Sequence, residues 1–69
     1  MYSGQHGEYM WELAEGELII SSRDPSIGII KRQAANNRFS NAEQATWYAQ
    51  GQIDMQSEAL AAARESRRS

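Results

Sequence analysis

Hydrophobic and polar residues alternate in the first third of this chain and recur at helical spacing in the last third, so the period of the pattern changes along it. Tyr9, Trp11 and Leu13 alternate with Glu8, Met10 and Glu12, as a half-buried strand requires. Glu15-Gly16 then supplies a residue that accepts positive φ, and Leu18-Ile19-Ile20 is a short β-favouring run ending in Ser21-Ser22. This pattern predicts a β-hairpin over residues 8–22. The rival reading, an amphipathic helix over residues 8–15, sets Glu8 and Glu12 as a repelling i, i+4 pair. Residues 1–7, MYSGQHG, are polar and punctuated by glycine, which predicts a flexible tail.

Asp24-Pro25 is a helix-start signal, because aspartate caps free N–H groups and proline at the first helical position gives up none that would be bonded. Ile27, Ile30 and Ala34 follow at helical spacing and Asn36-Asn37 offers a stop, predicting a short helix from 25 to about 36. The competing reading is a third strand over residues 27–32, since Gly28 lowers helix propensity and three isoleucines favour a sheet.

Ser40-Asn41-Ala42-Glu43 has the form of a capping box, in which Ser40 accepts from the N–H of Glu43 and Glu43 reaches back to the N–H of Ser40. No proline follows it, so one long helix is expected to run to about residue 66, with Gly51 as a bend or a break. On a helical wheel Ala42, Ala49, Ile53 and Leu60 form one apolar edge and Tyr48, Met55, Ala59 and Ala62 another, with Gln52, Gln56, Ala45 and Ala63 between them. Positions 42, 46, 49, 53, 56, 60 and 63 also follow the four-three spacing of a helix–helix seam, although Thr46 and Gln56 stand in it. Glu43, Trp47, Asp54, Glu58 and Glu65 share the opposite face, an acidic stripe that contains a tryptophan.

The fold expected is therefore α+β, an N-terminal β-hairpin, a short helix and a long C-terminal helix in one small domain over residues 8–66, with 67–69 as a disordered basic tail. A three-stranded antiparallel sheet plus one long helix is the alternative. At 69 residues the core is small, and chains of this size usually add disulfides, a metal or a partner subunit. There is no cysteine and only one histidine, which makes a homodimer through Ala49, Ile53, Gln56 and Leu60 the expectation. Neither a signal peptide nor a membrane span is expected from the short apolar runs, and a cytoplasmic location follows as the plain expectation.

Net charge is −2, which argues against a generic polyanion binder. The charge is unevenly spread: residues 1–22 carry four glutamates and no base, whereas residues 23–69 carry seven bases against five acids. Lys31, Arg32 and Arg38 form one basic cluster and Arg64, Arg67 and Arg68 another, which together define an alternative reading as a small nucleic-acid-binding regulator. No helix-turn-helix, RNP-like or zinc-finger spacing accompanies them.

Catalysis finds little support, since His6 is alone and no Gly-rich phosphate loop occurs. Paired carboxylates among Glu8, Glu12, Glu15 and Glu17 lack a chain long enough to wall a pocket. No catalytic residue, cofactor or metal site is expected, the Asp54/Glu58 pair being too common on helices to suggest a cation. The functional expectation is a non-enzymatic interaction or regulatory protein that binds a larger protein assembly, with a phage or mobile-element inhibitor as the guess at its setting. Glu43, Trp47, Asp54 and Glu58 are its expected partner-binding residues, Trp47 as the aromatic anchor and the carboxylates as a steering rim.

Overall fold

The computed structural model describes residues 1–35 and 39–68, the side chain of Arg68 excepted. Four strands, β1 (Tyr2–His6), β2 (Tyr9–Ala14), β3 (Glu17–Ser22) and β4 (Ile29–Ala34), are followed by two helices, α1 (Ala42–Met55) and α2 (Ser57–Arg68). The strands form one antiparallel sheet in sequence order, a meander in which every neighbour in sequence is a neighbour in space. The helices cover one face, α1 against β1 and β2 and α2 against β4.

Three parts of the expected fold are corrected. The segment read as a tail contains β1, whose Gly4 pairs with Trp11 and whose His6 pairs with Tyr9. The short helix over 25–36 is replaced by a single turn and β4. Asp24 does cap, its Oδ1 accepting from the backbone N–H of Ser26 at 3.0 Å and its carbonyl accepting from Ile27 N–H at 3.0 Å. Gly28 then adopts φ +73°, the left-handed conformation that ends a helix, so the cap starts one turn and no more. The three-stranded alternative is also one strand short. Asn36, Asn37 and Arg38, read as the helix stop and part of a basic cluster, lie outside the described residues, as does Ser69.

The third correction concerns the long helix, which is two helices of 14 and 12 residues meeting at Gln56, not at Gly51. Gln56 has φ −111° and ψ 17°, and its side chain explains the interruption. Its Nε2 donates to Gln33 Oε1 at 2.8 Å and to Gln52 Oε1 at 3.3 Å, Gln33 Nε2 donates to Gln52 Oε1 at 3.0 Å, and Lys31 Nζ donates to Gln56 Oε1. Three glutamines and a lysine thus join β4 to the helix junction. The cap is displaced by one residue as well: Asn41 is the N-cap, accepting from Gln44 N–H at 2.9 Å, while Gln44 Oε1 accepts from Ser40 N–H at 3.3 Å and Ser40 Oγ–H at 3.0 Å. Asparagine is as good a cap as serine, and the glutamine three residues after it reaches back past the cap to Ser40. The helix α2 extends through Arg67 to Arg68, where a basic tail was expected.

The core lies between sheet and helices. Tyr9, Trp11 and Leu13 of β2, Leu18 and Ile20 of β3 and Ile30 of β4 meet Ala45, Ala49 and Ile53 of α1 and Leu60 of α2, with Ile27 and Ala35 closing its ends. A β-bulge beside Ile20 leaves Ile30 without a partner in the register, so that Ile30 and Lys31 both serve the helix side. Tyr2 donates from its hydroxyl to Phe39 carbonyl at 3.4 Å, and Phe39 stacks at a tilt on Tyr48, which ties the sheet edge to the start of α1.

The β2–β3 turn is Glu15-Gly16, with φ of +53° and +74°, the signs of a type I′ turn. Glycine takes this backbone freely, whereas Glu15 is held in a conformation unfavourable for an ordinary side chain. Replacing Glu15 with asparagine is expected to raise stability by about 0.5–1 kcal/mol, measured by urea denaturation at unchanged slope.

Candidate functional site

Once the core is closed, two large apolar side chains remain on the outside of α1. Trp47 is 74% exposed and Met55 is 80% exposed. Their place on the helix follows from its buried edge: Ala45, Ala49 and Ile53 face the sheet, and Trp47 and Gly51 lie on the far side of the helix from them. Glu43, Trp47, Gly51 and Met55 succeed one another at intervals of four residues, and Trp47 and Met55 are about 12 Å apart along the axis by helical rise.

Gly51 stands in the middle of this series although glycine inside a helix costs about 1 kcal/mol relative to alanine. Its φ is not positive and a Cβ added there would meet nothing within 4 Å. Neither backbone nor packing requires it. What it does is leave a notch between Trp47 and Met55 in which the helix backbone is approachable. Asn41, Glu43 and Gln44 complete a shallow hollow beside the indole, all from the first turn of α1 or its cap.

The expected partner-binding residues are only partly brought together. Glu43 and Trp47 share the exposed face of α1. Asp54 is turned toward the edge strand, where His6 Nε2–H donates to its Oδ1 at 2.8 Å. Glu58 and Glu65 belong to α2, beyond the interruption at Gln56, so the acidic stripe drawn on one continuous wheel is split between two helices. Met55, placed by that wheel on an apolar edge, belongs instead to the exposed face of α1, and Ala59 and Ala62 of the same edge are exposed on α2. The i, i+4 series 43, 47, 51, 55 was the signal that would have shown it.

The expected dimer seam is a correction of a different kind. Ala49, Ile53 and Leu60 are buried within the single chain, against the sheet, and Gln56 is engaged with Gln33, Gln52 and Lys31. Apolar spacing on a helix states that a face is covered, not what covers it. Here the cover is the molecule's own sheet.

The basic residues are dispersed. Lys31 points to the helix junction, while Arg32 points to the opposite face of the sheet, where Nη1–H donates to Glu17 Oε1 at 3.2 Å. Arg38 lies outside the described residues. Arg64 lies 5.5 Å from the centre of the Tyr9 ring and donates to Glu8 Oε2 at 3.4 Å, so it joins α2 to the β1–β2 turn. Among the described residues no three side chains of His, Cys, Asp or Glu stand close enough to hold a metal ion, and no helix is long and apolar enough to cross a membrane.

Comparison with protein-family models, with curated proteins and with solved structures finds no match to this chain.

Proposed function

We propose that this protein is a non-enzymatic interaction module that docks on a larger protein through the outer face of α1, with Trp47 as its anchor. The observation that carries this reading is the notch at Gly51, open to solvent between two of the most exposed apolar side chains of the chain. Tryptophan is enriched among the residues that dominate binding energy, and an exposed indole beside a small residue offers both a knob and a hole to a partner. Beside the indole the rim is Glu43 with the polar Asn41 and Gln44, which fits a partner that offers a lysine or arginine at that end of its receiving groove.

The test uses the full chain as bait, with proteins captured from a lysate identified by mass spectrometry. Trp47→Ala is expected to melt within about 0.5 kcal/mol of the wild type, as surface changes do, and to lose the captured protein. Gly51→Leu separates binding from stability more sharply: filling the notch is expected to raise helix stability by up to about 1 kcal/mol and still abolish capture. A partner retained by both variants would remove this face from the function. A Trp47→Ala protein destabilised by about 3 kcal/mol or more, as for a core aromatic, would do the same.

A further inference from the structure

The second uncovered surface is the face of the sheet turned away from the helices. The register assigns its side chains to three cross-strand rows: Gln5, Met10, Ser21 and Ile29; Ser3, Glu12, Ile19 and Arg32; and Ala14, Glu17 and Ala34. Met10 is 44% exposed and Ile29 is 39% exposed, and with Ile19 they line a shallow trough of about 620 Å³. An antiparallel sheet tolerates one face in water when that face is polar. This one has an apolar middle.

Its chemistry is arranged about β3. On either side of Ser21 stand Met10 and Ile29; on either side of Ile19 stand Glu12 and Arg32; on either side of Glu17 stand Ala14 and Ala34. Each flanking pair matches under rotation, apolar with apolar, acid with base and small with small. We propose that this face closes on the same face of a second copy of the chain, about a two-fold axis running along β3.

A two-fold axis in that direction carries β2 of one copy over β4 of the other. Met10 then meets the partner copy's Ile29, and Ile29 its Met10. Glu12 meets Arg32 twice, and Ile19 meets its own equivalent on the axis, the self-complementarity that a two-fold interface demands. Sheets stacked in this way sit about 10 Å apart with strands within roughly 30° of one another, a gap that arginine and glutamate side chains span together. Two Glu17 approach near the end of the axis, and each already accepts from Arg32 of its own chain. The edge strand β1 overhangs the partner copy's β4 and contributes Ser3 and Gln5, a polar rim.

By strand spacing and rise the three overlapping strands measure about 14 Å by 20 Å, or roughly 300 Å² of flat surface per copy, with β1 as an overhanging rim. That is below the roughly 1,200–2,000 Å² in total of stable specific interfaces and in the range of weak, transient contacts. Association is therefore expected to be weak and concentration-dependent, with dimer forming across the micromolar range.

Sedimentation equilibrium of the full chain from low to high micromolar concentration tests this. The wild type is expected to pass from monomer to dimer, and Ile19→Lys, which sets two ammonium groups against each other on the axis, to remain monomer. Glu12→Arg and Arg32→Glu are each expected to weaken the dimer about tenfold or more, and the double exchange to bind more tightly than either single variant, because the Glu12–Arg32 match is re-created with its sign reversed while Glu17 loses its Arg32 partner. Circular dichroism confirms that each variant is folded. Should Ile19→Lys fail that check, Met10→Lys takes its place. Trp47→Ala is expected to dimerise as the wild type does, which keeps this face separate from the α1 face. A wild type that stays monomer at every concentration, a lysine variant that dimerises unchanged, or a double exchange no better than either single one would overturn the proposal.

Discussion

Replacing Leu60 with aspartate is expected to unfold the protein outright, at any concentration. Leu60 is 1% exposed and is the one fully buried large apolar side chain that α2 contributes to the core. Loss of a buried leucine costs about 2–5 kcal/mol, and a carboxylate in its place adds the cost of burying a charge without a partner. A domain of this length has only a few kcal/mol of net stability in hand, at roughly 0.05–0.15 kcal/mol per residue. The expected result is a far-ultraviolet spectrum of a disordered chain at room temperature, unchanged on concentration. Had Leu60 belonged to an intermolecular seam, the same substitution would give a folded monomer. Finding that folded monomer, melting like the wild type, would mean that the sheet does not cover α2.

The same residue shows what can and cannot be read from the chain. That Ala49, Ile53 and Leu60 are covered was legible in their spacing; the identity of the cover was not, because a sheet that the sequence half concealed supplies it. Residues 9–14 and 17–22 show their pairing openly, since Tyr9, Trp11, Leu13, Leu18 and Ile20 alternate without interruption around a turn that glycine marks. The strand β1 does not, because only Tyr2 is apolar among the positions it turns inward and glycine fills the next. The strand β4 is disguised twice, by an aspartate-proline cap that completes one turn and by a bulge that shifts its alternation at Ile30. Local signals were accurate about local events, and the longer-range pairing decided the fold.

The candidate site divides along the same line. Wheel positions put Trp47 and Glu43 on an exposed face, and both are exposed on α1. Glu58 leaves the stripe because a wheel assumes one straight helix, and the chain is interrupted at Gln56, which meets Gln33 of β4 from 23 residues earlier. Asp54 is engaged by His6 of β1, and Met55 is exposed because α1 buries only its 45, 49, 53 edge. The paired rows of the open sheet face were out of reach, since they exist only once the register of β3 with β4 is fixed.

Replacing Gly4 with valine is expected to destabilise the fold, against the preference of strands for valine. Propensity alone favours the substitution by up to about 1 kcal/mol. Packing opposes it: the Trp11 indole lies over Gly4, and a Cβ added at Gly4 would stand 2.8 Å from Trp11 Cζ2. The indole is 3% exposed, its Nε1 has no hydrogen-bond partner among the described residues, and it belongs to the buried core, so making room for a new side chain at Gly4 means shifting a packed ring. Overpacking of this kind costs about 1–3 kcal/mol, and valine, branched at Cβ, belongs at the upper end. The melting temperature should fall by about 4–8 °C for each kcal/mol in a domain of this size. A double-mutant cycle assigns the cause. In a Trp11→Leu background, already weakened by the smaller side chain, the further step Gly4→Val should cost little or even stabilise, because the ring that occupied the space is gone. An equal loss in both backgrounds would place the strain in the backbone of β1 and not in its contact with Trp11.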